Sequence, residues 1–260
     1  MPETPEPKPE SAPLVLIPVT AEDEARRKRR IVLIRWAIAL AIVSAAYFIY
    51  RHEVDPIHAR QSYDAGAALL RAGNYNLAVL AFDRSVGLKP DFAGAYLLRG
   101  RAYAGEAKPD LAIADFTRDL ALRPNDAQAL VARGMAYLDF KDFSSAMADA
   151  NRAIAADPKL ALAYNLRGMA TRAMGDARKA LEDFDRAVDL SPDADNFFQR
   201  ASTYQFLGDH RRAIADLNEV IARKPDQAPA YFARSESKRA IGDIEGSDQD
   251  RLQGRILDGR

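Results

Sequence analysis

Arginines and aspartates are the side chains in this sequence whose type and spacing could do chemistry. Arg99, Arg133, Arg167, Arg200 and Arg234 recur at a nearly constant interval, and Asp115, Asp149, Asp183, Asp216 and Asp250 follow them in turn at one fixed offset. The first three arginines stand directly before Gly100, Gly134 and Gly168. A guanidinium beside a glycine can grip phosphate, because its fork of donors matches the oxygens and the bare backbone lets a ligand approach. It can equally belong to a catalytic turn, or to the way a repeated unit is built.

Other chemistry is poorly supplied. The chain has no cysteine, which excludes disulfides, thiolate nucleophiles and Cys-ligated zinc. His52 and His58 fall in a short linker and His210 in a turn, so all three read as solvated surface groups rather than metal ligands. No histidine-centred triad, phosphate loop or metal-ligand spacing stands out. No enzyme activity, cofactor or small-molecule substrate is therefore expected. Lys plus Arg and Asp plus Glu both total 37, so no global field draws the chain to nucleic acid.

The elements that must position the arginines belong to an internal repeat. Pro90, Pro124, Pro158, Pro192 and Pro225 keep the same period as the arginines, which places unit starts at Ala59, Ala93, Ala127, Ala161, Ala194 and Ala228. Position eight of the unit is small (Gly66, Gly100, Gly134, Gly168, Ala201, Ser235), and so is position twenty (Ala78, Ala112, Ala146, Ala180, Ala213, Ser247). Small residues at both places let two antiparallel helices approach closely. Position twenty-four is large in Phe82, Phe116, Phe184 and Leu217, a plug between helix pairs. Turn residues such as Gly73-Asn74, Gly175-Asp176, Gly208-Asp209 and Gly242-Asp243 separate the two helices, and the prolines close the second one.

With Tyr96, Gly100, Tyr103, Ala112, Phe116 and Pro124 at positions four, eight, eleven, twenty, twenty-four and thirty-two, the unit resembles the tetratricopeptide repeat family. The resemblance covers residues 59–260 and implies an all-α fold, a right-handed α-solenoid of six helix-turn-helix units. Departures are Ser62 for the aromatic of the first unit, Ala150 for the plug of the third, and Lys238, Arg251 and Gly254 in the last, whose polarity suits a terminal cap. The resemblance also implies capture of an extended peptide or partner helix on a concave wall of first helices. Some relatives clamp C-terminal carboxylates with lysine and asparagine at positions five and nine of the first unit. Tyr63 and Ala67 stand there in this chain, so that activity is not carried over.

The arginines answer to the repeat. Unit one lacks both charges, carrying Ala65 at position seven and Ala81 at position twenty-three, whereas the other five units carry both. Joint presence and absence is the mark of an ion pair between first and second helix, since either charge alone in a half-buried seam is costly. Spacing leaves open whether each pair forms within a unit or between neighbours. Positions four, eight and eleven serve packing, so the stripe at two, five, nine and twelve points elsewhere. It holds Tyr63, Leu70, Leu97, Arg101, Val131, Met135, Leu138, Asn165, Met169, Arg172, Phe198 and Phe232, a wall suited to an apolar or amphipathic protein segment.

The N-terminal part has a different character. Residues 1–20 carry six prolines and no helical or strand period, with a short apolar island at Leu14 to Ile17. Five basic residues, Arg26 to Arg30, then precede an apolar stretch over 31–50 that is broken only by Arg35. Twenty helical residues rise about 30 Å, enough to cross a bilayer. Trp36 at one end, and Tyr47 and Tyr50 at the other, sit where interfacial aromatics belong. A cleaved signal ending near Ser44-Ala45-Ala46 is the rival, opposed by apolar residues that continue to Tyr50. The expected organisation is a proline-rich then basic cytoplasmic tail (1–30), a transmembrane helix (31–50), a linker (51–58) and an exported repeat domain (59–260), periplasmic in a Gram-negative cell. The expected role is a non-enzymatic scaffold for protein partners. A membrane-anchored holdase for exported clients is the alternative, and pull-down with the soluble part separates one folded complex from a spread of unfolded clients.

Overall fold

The computed structural model describes residues 20–51 and 55–259, among which there are 13 α-helices and no strand. The proline-rich segment with its apolar island, and His52, lie outside the described residues. Two compact units divide at Asp55.

The first unit contains α1 (Ala21–Ile49). The expected boundary at residue 30 is not a structural one: Arg26 to Arg30 continue in one helix with the apolar stretch, because nothing from Ala21 onward breaks the hydrogen-bond ladder. Glu24–Ile49 contains an 18-residue window with a mean hydropathy of 2.1, and Leu33 and Trp36 are exposed to 68 % and 71 %. Its 26 residues rise about 39 Å, long and apolar enough to cross a membrane.

The second unit is a run of helix pairs: α2 (Asp55–Arg71) with α3 (Tyr75–Leu88), α4 (Ala93–Gly105) with α5 (Pro109–Leu122), and α6 (Ala127–Asp139) with α7 (Phe143–Ala156). Then come α8 (Ala161–Ala173) with α9 (Ala177–Leu190), α10 (Ala194–Phe206) with α11 (His210–Arg223), and α12 (Ala228–Ala240) with α13 (Ile244–Asp258). Five first helices begin at the expected alanines. The exception is α2, which starts at Asp55, so the expected linker is partly helical and His58 lies in a helix. Pro56 sits in its first turn, where a missing N–H costs nothing. His210 likewise opens α11 rather than occupying a turn.

Close approach explains the small residues. A Cβ on Gly100 would lie 2.6 Å from the Phe116 ring, which fills that space. In the third unit, where Ala150 leaves no plug, Leu166 of the next unit takes its place, and a Cβ on Gly134 would run into its Cδ2. Turns are set by Gly73, Gly175, Gly208 and Gly242 at positive φ. The Asp142, Asp176, Asp209 and Asp243 carboxylates then accept backbone N–H groups of the helices they open.

Successive first helices touch one another (α4 with α6, α6 with α8, α8 with α10, α10 with α12) as well as the second helices between them. Successive second helices make no such contacts among the described residues. The array therefore curves with its first helices on the inside.

Candidate functional site

The five arginines of position seven hold the architecture. Arg99 places Nε 2.6 Å and Nη2 2.7 Å from the two carboxylate oxygens of Asp115, and Arg133 does the same to Asp149 at 2.7 Å each. Arg200 meets Asp216 at 2.8 and 2.7 Å and Arg234 meets Asp250 at 2.8 and 2.6 Å, with Arg167 and Asp183 in the same arrangement. Each pair joins the two helices of one unit side-on, the strongest form of this contact.

The same arginine also reaches backward. Nη1 donates to Asp83, Thr117, Asn151, Asp185 and Asn218 from Arg99, Arg133, Arg167, Arg200 and Arg234 respectively, at 2.5 to 3.1 Å. All five acceptors stand at position twenty-five of the preceding unit. The question left open by spacing thus resolves as both: the carboxylate pair is internal, and the third donor ties neighbours. Unit one has no preceding repeat to hold, and it carries alanine. The Asp115 hydrogen bond holds Arg99 above the ordinary arginine pKa, against the opposing effect of burial. At Asp250 burial would raise the carboxyl pKa, but hydrogen bonds from Arg234 and Lys238 outweigh it and hold it below the ordinary range. Lys238, an oddity in the sequence, is 2.9 Å from that carboxylate.

The inward-facing stripe divides in two. Tyr63 packs between Phe82 and Phe92, and Leu70, Leu97, Leu138 and Phe198 lie against core clusters. Phe232 fills the space at Gly254, which explains that glycine. Arg101 is exposed and touches Gln128 at 3.5 Å. In the middle of the array the remaining positions enclose a cavity of ≈ 370 Å³. Its apolar lining is Val131, Met135, Leu162 and Met169, with Met135 and Leu162 exposed to 41 % and 50 %. Asn165 donates to Asn196 at 2.7 Å on its polar side, next to Gln199, and Asp193 and Asp195 stand on its rim. Arg172 is half-buried and bonds to Gln199 and Thr203 of α10.

Sequence reasoning missed Leu162 and Asp195, although both occupy position two of the stripe, and it missed Asn196 and Gln199, whose positions pack elsewhere in other units. It also missed a second exposed apolar row where first helices end: Phe140 (61 %), Met174 (56 %), Phe206 (75 %) and Ile241 (47 %). Among the described residues no group of three or more His, Asp or Glu is disposed to hold a metal ion.

Comparison with known proteins bears on the whole array. No curated protein matches the chain. Among solved structures, the APC/C hetero-tetramer Cut9-Hcn1 has a similar chain (TM-score 0.73, 17 % identity, 82 % of this chain and 42 % of that one), so this protein spans under half of that relative's length. PilW, described as a widely conserved type IV pilus biogenesis factor, superposes with a TM-score of 0.69 at 19 % identity over 76 % of this chain and 92 % of its own. Pseudomonas aeruginosa pilF does so with 0.67 at 16 % identity over 79 % and 94 %. These identities speak for the fold alone. Two family models described as tetratricopeptide repeat match residues 63–127 and 97–161, and 161–193 and 194–227, together more than half of the chain, and neither indicates a catalytic family. With paired helices, small residues at each close approach and matches running from unit to unit, the chain belongs to the tetratricopeptide repeat family.

Proposed function

We propose that this protein is a membrane-tethered interaction scaffold that holds an apolar segment of a partner protein in the groove formed by α6, α8 and α10. The observation that carries this reading is the ≈ 370 Å³ cavity on the inner side of the array, with Met135 and Leu162 exposed on its wall. Exposed apolar side chains in a concave setting bury area when a segment covers them, and methionine adapts its shape to what covers it. Val131, Asn165 and Met169 line the cavity with Met135 and Leu162, Arg101 and Arg172 continue the wall on either side, and Tyr63, Leu97, Leu138, Phe198 and Phe232 shape it from beneath.

The tether is α1. Its basic cluster precedes the apolar stretch, which favours a cytoplasmic N-terminus and an exoplasmic repeat domain. Alkaline carbonate extraction tests this: the full chain should stay with the lipid pellet, and release into the supernatant would remove the membrane half of the reading.

Groove binding is tested in cells with a photoreactive residue at Met135 or Met169, and at Leu80 of α3 as a site off the inner wall. Discrete adducts from the groove positions and not from Leu80 are expected. A broad smear of unfolded clients would favour a holdase, and equal adducts at all three sites would overturn groove binding.

A further inference from the structure

Arg172 ties its unit to the next as Gln205, also at position twelve, does through the Ala233 carbonyl and Ser237, but it brings a charge that this tie does not need. It stands at position twelve of α8, one turn beyond Met169, half-buried against α10. Nη1 donates to the Gln199 carbonyl at 3.2 Å and to Thr203 Oγ1 at 2.9 Å, and Nη2 donates to Gln199 Oε1 at 2.9 Å. The guanidinium stacks on the Phe184 ring at 5.4 Å. Every one of these partners is neutral, and among the described residues no carboxylate pairs with Arg172, whereas each of the five position-seven arginines grips one side-on. Burial lowers its pKa from the ordinary arginine value, with no carboxylate acting the other way. A desolvated cation held only by dipoles is a poor use of burial unless an anion arrives.

Donors and surroundings indicate what arrives. Among the described residues Nε–H and one Nη2–H have no acceptor, and Gln199, which holds the other donors, also lines the groove cavity. Leu162 opens the same stripe of α8, ten residues and about 15 Å earlier along the helix. There Asp193 and Asp195 rim the cavity, both already engaged, Asp193 as the cap of α10 and Asp195 with Lys224 at 2.8 Å. The groove therefore has an apolar middle, one end whose carboxylates are engaged, and at Arg172 an end whose positive charge meets no carboxylate among the described residues.

We propose that Arg172 receives a glutamate or aspartate side chain of the segment held in the groove, which fixes the direction in which that segment lies. This rests on the groove reading above. The acidic residue lies past the apolar residues that cover Met135, Leu162 and Met169, at the end away from Asp193 and Asp195.

The test uses residues 56–260, a compact unit with its own core, immobilised and panned with a phage library of random dodecapeptides, beside the Met135→Asp and Arg172→Gln variants. Clones that need Met135 should pair apolar residues with Asp or Glu at a fixed spacing, and panning on Arg172→Gln should keep the apolar pattern and lose the acid. An apolar pattern without an acid, or an acid preference unchanged in Arg172→Gln, overturns the proposal and leaves the groove standing. Clones that bind Met135→Asp equally well overturn the groove reading and this one with it. If Arg172→Gln shifts the urea midpoint, the comparison moves to the unaltered protein with two synthetic peptides carrying Glu or Gln at the enriched position. The Glu peptide should bind about tenfold tighter, the scale of a charge-assisted hydrogen bond, and equal affinity overturns the proposal.

Discussion

Removing one ion pair from the middle of the array separates architecture from ligand binding. Arg133 and Asp149 are exposed to 13 % and 4 % at the side chain and meet through two 2.7 Å bonds. Asp149→Ala leaves the guanidinium with Thr117 and the Tyr137 ring, and Arg133→Ala leaves the carboxylate with Arg152 at 3.7 Å. Stranding either charge should cost about 3 kcal/mol, the lower end for a broken buried pair because Arg133 keeps some water. The double alanine variant strands nothing, and the chain already uses Ala65 and Ala81 at these two positions in its first unit. Its cost should also be about 3 kcal/mol, from lost packing and the lost tie to Thr117, giving a coupling of about 3 kcal/mol. Urea unfolding of residues 56–260 measures all four proteins, provided the slope is unchanged. A double variant that loses the sum of the single losses, about 6 kcal/mol, would refute the pairing argument.

Gly134→Ala should destabilise by about 1–2 kcal/mol, since its Cβ would run into Leu166, while Gly87→Ala, with open space around it in α3, should stabilise by about 0.5 kcal/mol; thermal unfolding of the two checks the contrast. Asp250 has a folded-state pKa below its unfolded value, so its contribution is complete above about pH 4 and is lost as pH falls through the lower folded value. Melting temperature should therefore fall more steeply below about pH 4 in the natural protein than in Asp250→Asn, and parallel curves would contradict the assignment. Phe206→Ser should leave stability within about 0.5 kcal/mol, because that ring is 75 % exposed, and a larger loss in a urea titration would mean that the apolar row at the helix ends is a packed surface.

Much of the fold was legible because its physics is local and repeated. The proline at the close of each unit marks the end of the helix before it, so the starts of α4, α6, α8, α10 and α12 could be read to the residue. The boundary at α2 could not, because no proline-closed helix precedes it and the rule had nothing to act on. Unit-one alanines exposed the arginine–aspartate partnership, but not the backward donor, since threonine, asparagine and aspartate all serve at position twenty-five and hide the regularity.

The groove was less legible. Helical phase fixes which side chains leave a helix in one direction, yet whether Val131 is covered and Met135 open depends on how far the neighbouring first helix approaches. That distance is set by plugs and glycines acting across units, as when Leu166 fills the place that Ala150 leaves empty. Composition, period and charge pairing thus determined the repeat and its joints from the chain alone. Tertiary packing decided which part of the inner wall remains open and left Arg172 without a carboxylate, because burial and approach are properties of neighbouring helices together and not of any one stretch of residues.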